Sequence, residues 1–183
     1  MSYKKWIIIA TALFGVGLVS GLAAPASMVS LLSEEIAALE ELAGLLAPLP
    51  KFLVFLIIFF KNVSALLLSF IFSPILCLWP ILVLTLNGWL ITFVSAAIVQ
   101  EKSLWFVLAG LLPHGVFELP ALILGEAAAL SFGTAAMLAL FKKERRKLLL
   151  PNLKQNFRYL LVAFALLLPA AIIETFVTPL LLT

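Results

Sequence analysis

Apolar runs long enough to cross a lipid bilayer follow one another along most of this chain, separated by short polar or proline-marked breaks. A helix needs about 20 apolar residues to cross a hydrocarbon core of about 30 Å. The first run, residues 6–22, follows Lys4 and Lys5 and precedes the small residues Ala23, Ala24, Ala26 and Ser27. Its roughly 17 apolar residues exceed the usual 7–15 of a cleaved signal peptide. Residues 6–24 are therefore expected to stay as a signal-anchor helix. Residues 52–72 form a second run, interrupted by Lys61-Asn62 and closed by Ser73-Pro74. Residues 75–99 form a third, with Asn87-Gly88 near its middle. Residues 103–112 are apolar too, but span only about 15 Å as a helix and cannot cross alone. Residues 116–141 can cross, as can 159–182.

Residues 30–50 read differently. Glu34, Glu35, Glu40 and Glu41 alternate with Leu32, Ile36, Leu39, Leu42 and Leu46, and the apolar set recurs at spacings of three and four. That is the pattern of an amphipathic helix. Ser33 can cap it, and Pro48 and Pro50 end it. Acidic and free of lysine before Lys51, it is expected outside the membrane, over the bundle ends.

Charge sets the orientation. Lys4 and Lys5 lie at one end, and residues 142–158 hold seven basic residues against Glu144 alone. The positive-inside rule puts both in the cytoplasm. An odd number of crossings must then separate residue 24 from residue 142. Two come from the second and third runs, so residues 103–141 must cross once. A re-entrant half-helix over 103–112, turning at Pro113-His114-Gly115, meets that count. The expected fold is an all-α polytopic membrane helix bundle. It has about five transmembrane helices, one re-entrant half-helix and the external amphipathic helix, in a single membrane domain with its core at 51–182.

Composition agrees. The chain is 64% hydrophobic and 11% charged, and it has no Asp. Soluble domains are about 25% charged. No Walker motif, nucleotide-binding glycine pattern or nucleophile elbow occurs, and nothing points to nucleic acid. Cys77 is the sole cysteine; it forms no internal disulfide and suits a buried apolar position. The small residues Gly15, Gly17, Gly21, Ala127, Ala128, Ala129 and Gly133 let helices approach closely. They suit a homodimer or a larger membrane complex, and serve packing within one chain equally well.

The candidate chemistry is the set of polar residues inside the apolar runs. Ionisable groups at membrane depth are expensive and mark functional sites by default. His114, the only histidine, and Glu118 are four apart and share one helix face. Glu126 is two turns further on and about 80° round. Asn62, Asn87 and Glu174 complete the set. The six can converge on one interior cavity, or each can bond a freed helix backbone or a neighbouring helix as glue. His114, Glu118 and Glu174 are expected to share one buried site, with Pro113 and Gly115 breaking the helix beside it. A cavity of this kind suits transport, and side chains bonded only to one another would suit a scaffold. One histidine is poor provision for a catalytic metal, which usually has three protein ligands, most often His-rich. No metal or cofactor is expected.

The order of these motifs resembles the stage II sporulation protein M family of integral membrane proteins. Pro113-His114-Gly115-x2-Glu118 is its most specific part, and Glu174-x-Phe176-x-x-Pro179 the second. The resemblance runs from about Lys51 to Pro179. Two positions depart from the family pattern: Lys61-Asn62 stands where paired asparagines are common, and Gly125-Glu126 where a small Ala-Gly pattern is common. The resemblance implies a multi-pass cell-membrane protein. In sporulating bacteria it implies an anchor that assembles peptidoglycan-degrading proteins during engulfment. The expected function is a scaffold or transport-like component with a polar intramembrane site. The alternative is a membrane-embedded hydrolase acting on lipid or peptide through His114, Glu118 and Glu174.

Overall fold

The computed structural model describes residues 3–24, 44 and 48–182. The expected amphipathic helix at 30–50 lies almost wholly outside the described residues. Five long helices follow in order: α1 (Tyr3–Leu22), α2 (Lys51–Phe72), α3 (Leu78–Glu101), α4 (Leu104–Phe141) and α5 (Leu149–Phe176). A 3-10 helix (Lys143–Leu148) joins α4 to α5, and a short α6 (Thr178–Leu181) ends the chain. Among the described residues, five helices are long and apolar enough to cross a membrane. The protein is an all-α polytopic membrane helix bundle.

The helices alternate in direction. Gly17 of α1 meets Thr85 of α3, and Gly21 meets Trp89 and Thr92, so these two helices run parallel. Leu66 of α2 meets Gly125 of α4, and Ser73 meets Gly133, so these two also run parallel. Thr178 beside His114, and Leu182 beside Gly110, set α5 and α6 antiparallel to α4. At one end, Trp6 shares a small cavity with Arg145, Leu148 and Asn152. The start of α1 and the basic stretch thus lie at the same end, which we call the basic end.

α4 is the axis of the bundle. One apolar core, including Leu66, Phe70, Ala128, Leu160 and Leu167, packs α2 and α5 against it. A second, including Trp6, Ala10, Phe14, Leu84, Ala127 and Leu130, packs α1 and α3 against its other side. This explains the sequence of α4. Residues 125–131 are buried all round, and only small side chains such as Ala127, Ala128 and Ala129 let helices close on both faces. Large apolar residues such as Ile8, Val16, Leu86, Leu90, Val162 and Ile172 point outward. In water that surface would be a liability, and against lipid tails it is the expected exterior.

Two expectations are corrected. First, no separate re-entrant half-helix exists, because α4 runs unbroken from Leu104 to Phe141 through Pro113, Gly115 and Pro120. Pro113 removes only one N–H, the partner of the Ala109 carbonyl. Every other backbone group in an apolar setting is still best satisfied by continuing the helix. Gly115 has no positive φ. The crossing count is unchanged, since 104–141 still crosses once. At 38 residues α4 is about 57 Å long, well beyond the ~30 Å core. Its last two turns pass Gly133, which lies level with the α2–α3 turn at Ser73 and Cys77, and stand out at the basic end. Second, the basic stretch is largely helical. α5 starts at Leu149, ten residues before the expected span, and carries Lys154 and Arg158 on its projecting first turns.

Gly17, Gly21, Gly133 and Ala127–Ala129 are all used for contacts within this chain. They therefore give no separate argument for a homodimer.

Candidate functional site

The polar site is built where α4 and α5 pass near the end opposite the basic stretch. His114 and Glu118 stand on one face of α4, and Glu174 approaches from α5, two residues before that helix ends. Glu118 Oε2 lies 3.8 Å from His114 Nε2. One ligand-type atom from each of His114, Glu118 and Glu174 lies within 4.8 Å of the others. The imidazole is 12% exposed and Glu118 33%, so the group sits at the mouth of a depression. On the far side of the ring, His114 Nδ1 is 3.4 Å from the Thr178 hydroxyl. Thr178 is there because α5 ends at Phe176, capped by Val177, and the chain restarts as α6, with Pro179 in the first turn. Pro is favoured at that position because it needs no N–H partner there. Lys61, on the outer face of α2, and Glu118 both act electrostatically on Glu174.

A cavity of about 160 Å³ opens beside the cluster, lined by Asn62 from α2, Asn87 from α3, and Leu111, Gly115, Glu118 and Leu122 from α4. Gly115 contributes here by leaving space, since a Cβ would meet nothing within 4 Å. Asn87 donates one amide hydrogen to the carbonyl of Val83. That uses one of its four hydrogen-bonding positions.

Five of the six polar residues thus gather: His114, Glu118 and Glu174 in the cluster, and Asn62 and Asn87 in the lining of the cavity that Glu118 shares. Glu126 does not join them. It is fully buried, accepts a hydrogen bond from Ser69 of α2, and its second oxygen has no hydrogen-bond partner. The rotation between Glu118 and Glu126 on an unbroken helix turns Glu126 away from the cavity and onto α2. Two participants were not foreseen. Thr178 falls at an unspecified position of the terminal motif, and nothing in the sequence marks it. Ser69 gave no signal at all, because a lone serine in an apolar run is ordinary.

These features define a polytopic helical membrane protein with a carboxylate–imidazole site at one end of the bundle. The sequence profile described as Stage II sporulation protein M matches residues 10–179, and the chain belongs to that family. Two proteins of Methanocaldococcus jannaschii are similar to it, both carrying the description uncharacterized protein. MJ0793 is 28% identical over 97 residues, which cover 52% of this chain and 54% of the relative. MJ0706 is 27% identical over 110 residues, covering 59% and 50%. The chain spans about half the length of the curated relatives it matches. No solved structure matches it.

Proposed function

We propose that the protein is a transport-like membrane component that admits a small polar species to the His114/Glu118/Glu174 cluster. The observation that carries this reading is the double position of Glu118. It is a member of the cluster and also lines the cavity together with Asn62 and Asn87. A scaffold needs no such opening. Carboxylates and amides around a depression are the means by which a membrane protein replaces water around a polar solute.

The test is water access. In a Cys77→Ala background, cysteines at Asn62 and Asn87 should react with a small membrane-impermeant thiol reagent, because only a hydrated thiol ionises readily. A cysteine at Leu86, which faces outward on the same helix as Asn87, should not. Equal resistance at all three positions would remove the cavity reading.

The same labelling fixes the compartment. We propose that the basic end faces the cytoplasm, following the excess of Lys and Arg there. Cysteines at Arg145 and at Lys5 are then expected to react only from the cytoplasmic side, and one at Lys102 only from the other. Reaction of positions 5 and 145 from opposite sides would be incompatible with the bundle itself.

A second reading has one specific observation behind it. The Thr178 hydroxyl, His114 imidazole and Glu118 carboxylate follow one another at 3.4 and 3.8 Å, in the order of nucleophile, base and orienting acid. This is the hydrolase alternative. Thr178→Ser would then keep turnover of a lipid or peptide and Thr178→Ala would lose it.

A further inference from the structure

The site described above raises the question of what occupies it. Resting on that reading, we propose that the cluster binds one divalent transition-metal ion of the zinc type, with His114, Glu118 and Glu174 as its three protein ligands. A fourth position is left open towards the cavity.

Ligand atoms on a tetrahedral zinc ion at 2.0–2.2 Å are about 3.3–3.6 Å from one another. Here the His114–Glu118 separation is 3.8 Å and all three lie within 4.8 Å. Closing the set needs movements of at most about 1.5 Å relative to that geometry. Partly exposed glutamate side chains can supply them by rotation. The His-x3-Glu spacing on α4 holds two ligands in register, and the third comes from α5. The ion would thus tie the last long helix to the central one.

The imidazole is already oriented for this. Its Nδ1 faces the Thr178 hydroxyl and its Nε2 faces Glu118. A proton on Nδ1 donated to Thr178 leaves the Nε2 lone pair pointing at the carboxylates. That is the outer-sphere arrangement that fixes a metal-binding histidine. Two carboxylates balance a divalent charge. The imidazole nitrogen favours zinc-like ions over magnesium or calcium, which prefer all-oxygen shells. Lys61 is the competitor, since its ammonium acts electrostatically on Glu174. Counting histidines along the chain argued against a metal. What that count could not include is that carboxylates 56 residues apart in sequence, Glu118 and Glu174, converge on the one histidine.

The experiment uses the full chain in lipid nanodiscs, stripped with chelator and titrated with Co²⁺, Zn²⁺ and Mg²⁺. One Co²⁺ per chain is expected, with the visible absorption of a low-coordinate site, displaced by Zn²⁺ and not by Mg²⁺. His114→Gln and Glu174→Gln should each weaken binding by more than the ~10–100-fold typical of losing an outer-sphere partner, and Thr178→Val by about that range. Lys61→Gln should leave binding unchanged or tighten it. Should Glu174→Gln fail to fold, His114→Gln and Thr178→Val carry the test. Binding of Zn²⁺ and Co²⁺ no tighter than Mg²⁺, or binding equal in wild type, His114→Gln and Thr178→Val, would overturn the proposal. If no metal binds while cysteines at Asn62 and Asn87 still label, the metal fails and the cavity reading stands. If metal binds and they do not label, the reverse holds.

Discussion

Gly17→Leu and Gly88→Leu are each expected to unfold the bundle or lower its stability by more than about 3 kcal/mol, whereas Gly15→Leu is tolerated. The reason is how closely α1 and α3 cross. A Cβ on Gly17 would overlap the Thr85 carbonyl oxygen, and one on Gly88 would overlap the Phe14 carbonyl oxygen and lie 2.9 Å from the Leu18 nitrogen. Both obstacles are backbone. Overpacking a core costs about 1–3 kcal/mol when neighbouring side chains can shift. A backbone cannot shift without separating the helices along their whole contact. Separation would also break the Thr92 hydroxyl's bond to the Leu18 carbonyl and open the second core around Phe14 and Leu84. Gly15, two residues away, meets nothing within 4 Å, and a leucine there enters lipid. Thermal unfolding in detergent, read by size-exclusion profile after heating, measures the series. The double variant Gly17→Leu/Gly88→Leu should be little worse than either single change, because both damage one crossing. Equal stability of Gly15→Leu and Gly17→Leu would show that α1 does not pack in this way.

This crossing also shows what the sequence could and could not reveal. The existence of five spans follows from apolar run length, and their alternating direction from the charges at Lys4, Lys5 and 142–158. Small residues announce close approach, but not the partner. Gly17 and Gly21 look the same whether they face a second copy or α3. Two spacings misled. Proline and glycine around His114 imply a break when read locally, yet α4 continues because an apolar surrounding penalises every freed backbone group. The last span reads as starting at 159, where the charges stop, yet its helix already runs from Leu149. The convergence of His114 with Glu118 was legible from their spacing of four on one helix. That of Glu174 rested on energetics alone: a polar group on an apolar helix is cheapest beside others of its kind. The same argument failed for Glu126, because it has a second solution, a single local partner in a sealed core, and nothing in sequence distinguishes the two.

That sealed core yields the second large effect. Ser69→Ala is expected to destabilise the protein by about 1–3 kcal/mol, the usual cost of leaving a buried polar group without its partner. The loss should vanish when Glu126 is also replaced by leucine. Glu126 is fully buried, and the Ser69 hydroxyl is its hydrogen-bond donor. Its other oxygen is already unpartnered, so the side chain is held through one oxygen only. Removing Ser69 leaves a carboxyl group with nothing. Replacing both residues by apolar ones of similar shape removes the demand together with the supply, which is near neutral or stabilising. Glu126→Leu alone leaves only the serine hydroxyl, which can turn to the carbonyl four residues back, as Thr85 and Thr175 do. It should therefore be milder than Ser69→Ala. A double-mutant cycle on unfolding free energies reads the coupling directly. Additive losses in the double variant would show that Ser69 and Glu126 do not depend on each other. Retained labelling at Asn62 and Asn87 in Glu126→Leu would show that this buried pair holds the bundle together without serving the cavity two turns away.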